Sequence, residues 1–209
     1  VKAEGFEDLK YPIWVEREYG WRCKTPSENL HPIPMLQVDQ SLAGLRYVPP
    51  GWFYAGGDGL VSNSVPQKRR LWADGFLMSD KHITHQEYLV FLQDLCRRGD
   101  YDLAYHLRPR LRDEEGEGLY RFHQGQVHII ENEFIRLDWP ANYTNYECAL
   151  CYTKWSAERM GQGIRLPSDM EWEKMARSVD ARSFPWGEHF DPSFAHMRLS
   201  LEMPQPAIP

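Results

Sequence analysis

Long hydrophobic runs are missing from this sequence. No apolar stretch approaches the roughly 18 residues that a membrane-crossing helix needs, so no helical anchor is expected within these residues. The start carries no basic segment followed by an apolar one, and no signal peptide is expected either. Cysteine is scarce: 4 in 209 residues, at positions 23, 96, 148 and 151, which is no disulfide framework and makes a cytoplasmic chain the expectation. Excess positive charge is absent too. With 24 Lys and Arg against 30 Asp and Glu, the net charge of -6 argues against nucleic acid as a partner.

Aromatic side chains are what the sequence has in abundance, 13% of it with 8 Trp, which suits an irregular fold held by large side chains. The length allows one domain with a real core, or a domain plus an extension. Residues 1–44 read as an extended arm, because Pro12, Pro26, Pro32 and Pro34 prevent any long element. Tyr11 to Val15 could form one short strand, and Trp14, Tyr19 and Trp21 imply that the arm packs on something. Arg46 to Tyr54 reads as a strand pair broken at Pro49-Pro50-Gly51, and Leu71 to Met78 as a further strand. Thr84 with Glu87 forms a capping box that opens a helix to about Arg98. Gly99 to Arg112 is a more polar helical stretch interrupted at Pro109. Tyr120 to Phe122 and Val127 to Ile130 read as a hairpin with His123 and His128 at its base, and Asn145 to Met160 as a helix stopped by Gly161 and Gly163.

Several patterns invite a chemical reading and do not sustain it. Gly56-Gly57-Asp58-Gly59 lacks the following helix start and the Lys-Ser/Thr of a phosphate-cradling loop, which leaves a turn. His82 and His85 are three apart but have no nearby carboxylate or Cys partner, so surface histidines are expected rather than a metal pair. Asp113 to Gly118 lacks the spacing of a calcium loop. Cys148 and Cys151 form a CxxC without a second pair or a preceding strand, and their spacing is also that of a packed helix face, as is the placement of Cys96.

The most informative stretch runs from Arg165 to Gly187. Ser168 with Glu171 is a second capping box, so a helix starts at about Asp169. Trp172, Met175, Ala176 and Val179 recur at helical spacing and predict a buried apolar face, with Glu173, Lys174 and Arg177 pointing elsewhere. Pro185-Trp186-Gly187 then turns the chain.

The nine residues from Arg165 to Glu173, with Pro185-Trp186-Gly187 after them, resemble the RLPTEAEWE…PWG signature of the formylglycine-generating enzyme (sulfatase-modifying factor) family. Thr84 to Tyr88 with Phe91 resembles that family's VTNxEYxxF helix start, and Tyr47 to Phe53 its VPxGxF strand. Pro140, Tyr146, Ala149, Tyr152 and Trp155 sit at marker positions of a further helix. The resemblance covers about residues 45 to 198. It implies an α+β fold of irregular C-type-lectin-like kind, loop-rich, with two to three main helices and short strands. Residues 45–209 would then be the N-terminal portion of such a domain, with an insert at about 99–138, behind the 1–44 arm.

Family members continue with a GNVxEW segment and, in the oxidases, two cysteines that bind copper and handle the substrate thiol. Neither follows Cys151 here, and the Val start with the Pro-rich end at Pro204 to Pro209 suggests a fragment, a processed product or one chain of a split domain. Arg165, Glu171, Glu173 and Trp186 match motif positions expected to hold the fold through caps, ion pairs and packing. No residue is therefore assigned a catalytic, cofactor-binding or metal-binding role. Copper or calcium is expected only if ligands come from beyond Pro209.

The functional expectation is a non-catalytic recognition or regulatory module in a larger bacterial assembly. Its partner would be another protein, such as a protease or the C-terminal remainder of its own domain, with no nucleic acid and no membrane. The alternatives are a copper-dependent formylglycine-generating oxidase, or an iron-binding relative whose histidine-bearing bundle lies outside these residues.

Overall fold

A computed structural model describes residues 1–15, 17, 24–37, 44–59, 67–110, 118–131 and 135–195. It divides into two compact units, Val1–Asp80 with Pro167–Asp191, and Lys81–Leu166 with Pro192–Pro209. Among the described residues, short antiparallel strand pairs and four α-helices make it a mixed α+β structure.

In the first unit, strands β1 (Leu45–Val48) and β2 (Gly51–Ala55) do not pair with each other. Each pairs with a later strand, β1 with β4 (Phe76–Ser79) and β2 with β3 (Arg69–Ala73). The stretch expected as one strand from Leu71 to Met78 is thus two. The physical reason lies at Pro49-Pro50, which have no N–H to give to a ladder, so the ribbon breaks there and opposite at Asp74-Gly75. Gly75 is required at the break: a Cβ there would come within 2.9 Å of Pro50 Cδ and 3.0 Å of the Tyr47 hydroxyl.

On β2 and β3 the pleat sends Phe53, Ala55, Leu71 and Ala73 to one face, where they pack with Val179. Trp52, Tyr54, Arg70 and Trp72 take the other face, since Trp52 is in register with Trp72 and Tyr54 with Arg70. The arm packs against that second face. Tyr11 to Val15 is not a strand; instead the Tyr11 hydroxyl donates to the Pro50 carbonyl at 2.7 Å and Trp14 sets its edge on Tyr54 at 6.3 Å. Tyr19 and Trp21 lie outside the described residues.

Helix α4 (Asp169–Arg177) has the full Ser168/Glu171 capping box, but its buried side is not the apolar one. Trp172 is 63% exposed and Met175 40%, whereas Lys174 is 4% exposed. Val179 is buried without belonging to the helix, which ends at Arg177 before Ser178 adopts a left-handed φ of 58°. Periodicity counts apolar residues and is blind to the backbone carbonyls that cluster at the Pro49-Pro50 break, which draw the ammonium inward.

In the second unit, α1 (His85–Arg98) has the Thr84/Glu87 capping box and ends at Gly99, whose φ of 91° is the left-handed helix stop. The stretch expected to be helical from Gly99 therefore begins with a cap, and among its described residues α2 (Tyr101–His106) is the helix that forms. Strands β5 (Tyr120–His123) and β6 (Gln126–Ile129) make the expected hairpin, turning at Gln124-Gly125 with φ of 48° and 75°. His123 is next to that turn, in register with Gln126, not at the base. Helix α3 (Tyr146–Met160) is capped by Asn145, and with α1 it surrounds a core that includes Phe91, Leu92, Leu95, Tyr120, Val127 and Trp155. A short 3-10 turn, Pro192–Phe194, follows later in the chain.

Candidate functional site

Lys174 is the most unusual group of the first unit. Its ammonium donates to the carbonyl oxygens of Pro49 at 2.7 Å, Gly51 at 3.3 Å and Ala73 at 3.4 Å, with no carboxylate in contact among the described residues. Burial lowers its pKa to about 8, against a smaller raising influence from Asp74. The neighbouring motif residues hold the chain as well. Glu173 accepts from the Gly56 amide at 2.8 Å and from Arg177 at 2.6 Å, and Arg177 donates onward to Ala181 and Arg182 carbonyls. The Gly56 loop is therefore a turn tied to α4. Trp186 stacks on Phe184 at 5.4 Å and donates to the His189 carbonyl.

Outside the β2–β3 ribbon runs a ladder of rings and cations. Lys68 Nζ sits 4.8 Å from the Tyr54 ring centre and Arg70 4.9 Å from that of Trp52. Trp52 meets Trp72 edge-on at 5.7 Å, and Trp72 meets His31 likewise at 5.3 Å. The indole N–H groups are committed, Trp52 to the Lys24 carbonyl and Trp72 to Asp74. A cavity among Tyr11, Trp14, Trp52, Arg70 and Lys174 holds only about 30 Å³. That is space for a water or two, far from the several hundred Å³ of a small-molecule site.

In the second unit His85 is buried, 1% exposed, which corrects the expectation of a surface histidine. The Asn142 side-chain oxygen, 3.1 Å from Nε2, can only accept, so Nε2 carries the proton and Nδ1 accepts from the Tyr120 hydroxyl at 2.7 Å. Burial lowers the His85 pKa below its ordinary value, the Asn142 bond opposing it. His82 is exposed and takes no part. Tyr88 donates to the Leu107 carbonyl at 2.8 Å, and the Cys148 thiol donates to the same oxygen at 3.4 Å. Cys96 is buried and Cys151 partly so, all three thiols being unpaired.

These thiols do not fit a copper centre. Cys96 and Cys148 lie among apolar and aromatic side chains, and Cys148 is already bonded to a backbone carbonyl. Among the described residues no three His, Cys, Asp or Glu side chains converge as metal ligands. Cys23 and Asp113 to Glu117 lie outside the described residues. The sequence singled out neither Lys174 nor the ladder. The signal for the ladder was there: period-2 alternation through Lys68, Arg70 and Trp72 places all three on one face of a strand.

The first unit thus defines an irregular α+β domain whose motif residues serve as internal ties. Residues 33–204 match the sulfatase-modifying factor enzyme 1-like domain, and the chain belongs to that family. It is also similar to the uncharacterized protein YfmG of Bacillus subtilis (strain 168), 22% identical over 197 residues. That alignment takes in 90% of this chain and 35% of YfmG, so the chain spans about a third of that relative's length. Among the described residues no helix is long and apolar enough to cross a membrane.

Proposed function

We propose that this domain is a non-catalytic protein-recognition or regulatory module of a larger bacterial assembly of sensor, defence, or kinase- or protease-associated kind. The observation that carries the reading is the arm. Ile13, Trp14 and Val15 are 45%, 48% and 59% exposed, a contiguous apolar triplet beside a tightly tied ribbon, centred on a Trp, a residue type that interface hot spots favour. Its partner is another protein, of which a protease and the C-terminal remainder of its own domain are the two classes. Unpaired thiols at Cys96, Cys148 and Cys151 support a reducing, cytoplasmic setting. Fold kinship alone does not license chemistry.

A photo-crosslinking amino acid at position 14 of the full natural polypeptide tests this. A discrete protein adduct, lost on moving the crosslinker to the exposed position 130, is expected. The second reading, a copper-dependent formylglycine-generating oxidase, draws on the family itself. Copper-dependent conversion of a cysteine to formylglycine in a sulfatase-type peptide would establish it and displace the first.

A further inference from the structure

The ladder on the outer face of β2–β3 is built from cations that lack counter-charges. Lys24 is paired with Glu28, Arg46 with Asp80 and Arg182 with Asp180. Among the described residues, Lys68, Arg69 and Arg70 form a run in which none has a carboxylate within 4.0 Å, and all three are exposed. The Lys68 ammonium spends one N–H on the Asp180 carbonyl, and the Arg70 guanidinium lies over the Trp52 ring. With its Cζ 4.9 Å from the Trp52 ring centre, the exposed Arg70 guanidinium is held beside the indole, and its planar fork suits a planar anion.

Two of the rings are already engaged on a face by cations, which disfavours a stacking ligand there. A nucleobase or a sugar face needs an open aromatic face to stack on. Here Arg70 lies over Trp52 and Lys68 over Tyr54, while Trp72 and Trp14 meet those same rings edge-on. What remains outward is a row of donors with the spacing of alternate residues along a strand. A chain of net charge -6 that keeps such a row unpaired presents a local surface complementary to carboxylates.

The geometry points to an acidic polypeptide segment as the ligand of this face, with Lys68 and Arg70 gripping its carboxylates beside the exposed Trp14. The inference rests on the recognition reading and gives that partner its chemistry. An extended peptide repeats its side chains on one face at the same two-residue period as the strand. Carboxylates at alternate positions therefore meet Lys68 and Arg70 together. Arg69, on the opposite pleat, adds only to the general field.

Fluorescence anisotropy with the intact chain tests it, using a labelled peptide of alternating Glu and Ser, its Gln counterpart, a single-stranded oligonucleotide and a polysulfated glycan. The Glu peptide is expected to bind at low salt, the Gln peptide not, and added salt to weaken binding. Lys68→Gln with Arg70→Gln should weaken it about tenfold, two exposed charge contacts being removed. Arg70→Lys, which keeps the charge and loses the planar guanidinium fork, should fall between, and its thermal melt shows whether the ribbon is intact.

Unchanged affinity in the double variant overturns the assignment to this face. Binding of the oligonucleotide or the glycan in preference to the Glu peptide overturns the choice of an acidic polypeptide. If the Glu peptide fails while the adduct at position 14 persists, this inference falls and the recognition reading stands; if both fail, both fall.

Discussion

Lys174 reaches back across 125 positions of sequence to place its ammonium 2.7 Å from the carbonyl oxygen of Pro49. That one contact ties the helix of the longest motif to the break in the ribbon, and it explains why the apolar residues beside it are left outside. Lys174→Met should cost about 2–4 kcal/mol of stability, because three carbonyls lose a charged donor. Trp172→Ala, at a side chain 63% exposed, should change stability by no more than about 0.5 kcal/mol. Thermal or denaturant unfolding of the two variants side by side decides it; the opposite ranking would restore the apolar face as the buried one.

The same residue sets a pH dependence. Its pKa falls from 10.5 to about 8 on folding, so between those values the unfolded chain holds a proton that the folded chain does not. Stability contributed by Lys174 should rise as pH goes from about 8 to 10.5. The gap in unfolding free energy between the wild-type chain and Lys174→Met should widen over that window, and a constant gap would refute the shift.

His85 makes a prediction on the acid side. Its pKa is lowered below 6.5 by burial, so the stability it contributes is complete above pH 6.5 and drains away as pH falls through the folded value. Tyr120→Phe removes the hydroxyl that donates to Nδ1 and leaves that nitrogen unsatisfied, at a cost of about 1–3 kcal/mol. The imidazole titration followed by NMR in wild type and Tyr120→Phe is the check.

Alkaline pH should act through the tyrosines. Burial raises Tyr88, Tyr120 and Tyr152 above 10.0, with Tyr152 at about 12. Their stability is fully present below pH 10 and is lost as pH rises through the folded values. Phenolate absorbance should therefore appear in step with unfolding, whereas free titration near pH 10 without unfolding would count against burial.

The two capping boxes give a local test. Thr84→Ala and Ser168→Ala should each cost about 1 kcal/mol. Glu173→Gln should in addition quicken hydrogen exchange at the Gly56 amide, since that amide donates to the Glu173 carboxylate.

Local signals were legible wherever the physics is local. Both capping boxes, the Gly161 stop and the Gln124-Gly125 turn follow from residues within a few positions of one another, whereas Gly99, read as the start of a helical stretch, is a cap. Partnerships were not. Nothing near Pro49 in the sequence says that β1 pairs with β4 and β2 with β3, and nothing near His85 says that Tyr120 and Asn142 will close over it.

The sequence alone therefore determined the family, the capped helix starts and the aromatic content, because motifs, caps and turns are short-range and chemical. Tertiary structure decided which side of each element is inside. Lys174 went in and Trp172 stayed out because burial is settled by the donors, acceptors and surfaces that the rest of the unit presents, and a carbonyl cluster at a proline break outbids hydrophobic periodicity on a nine-residue helix.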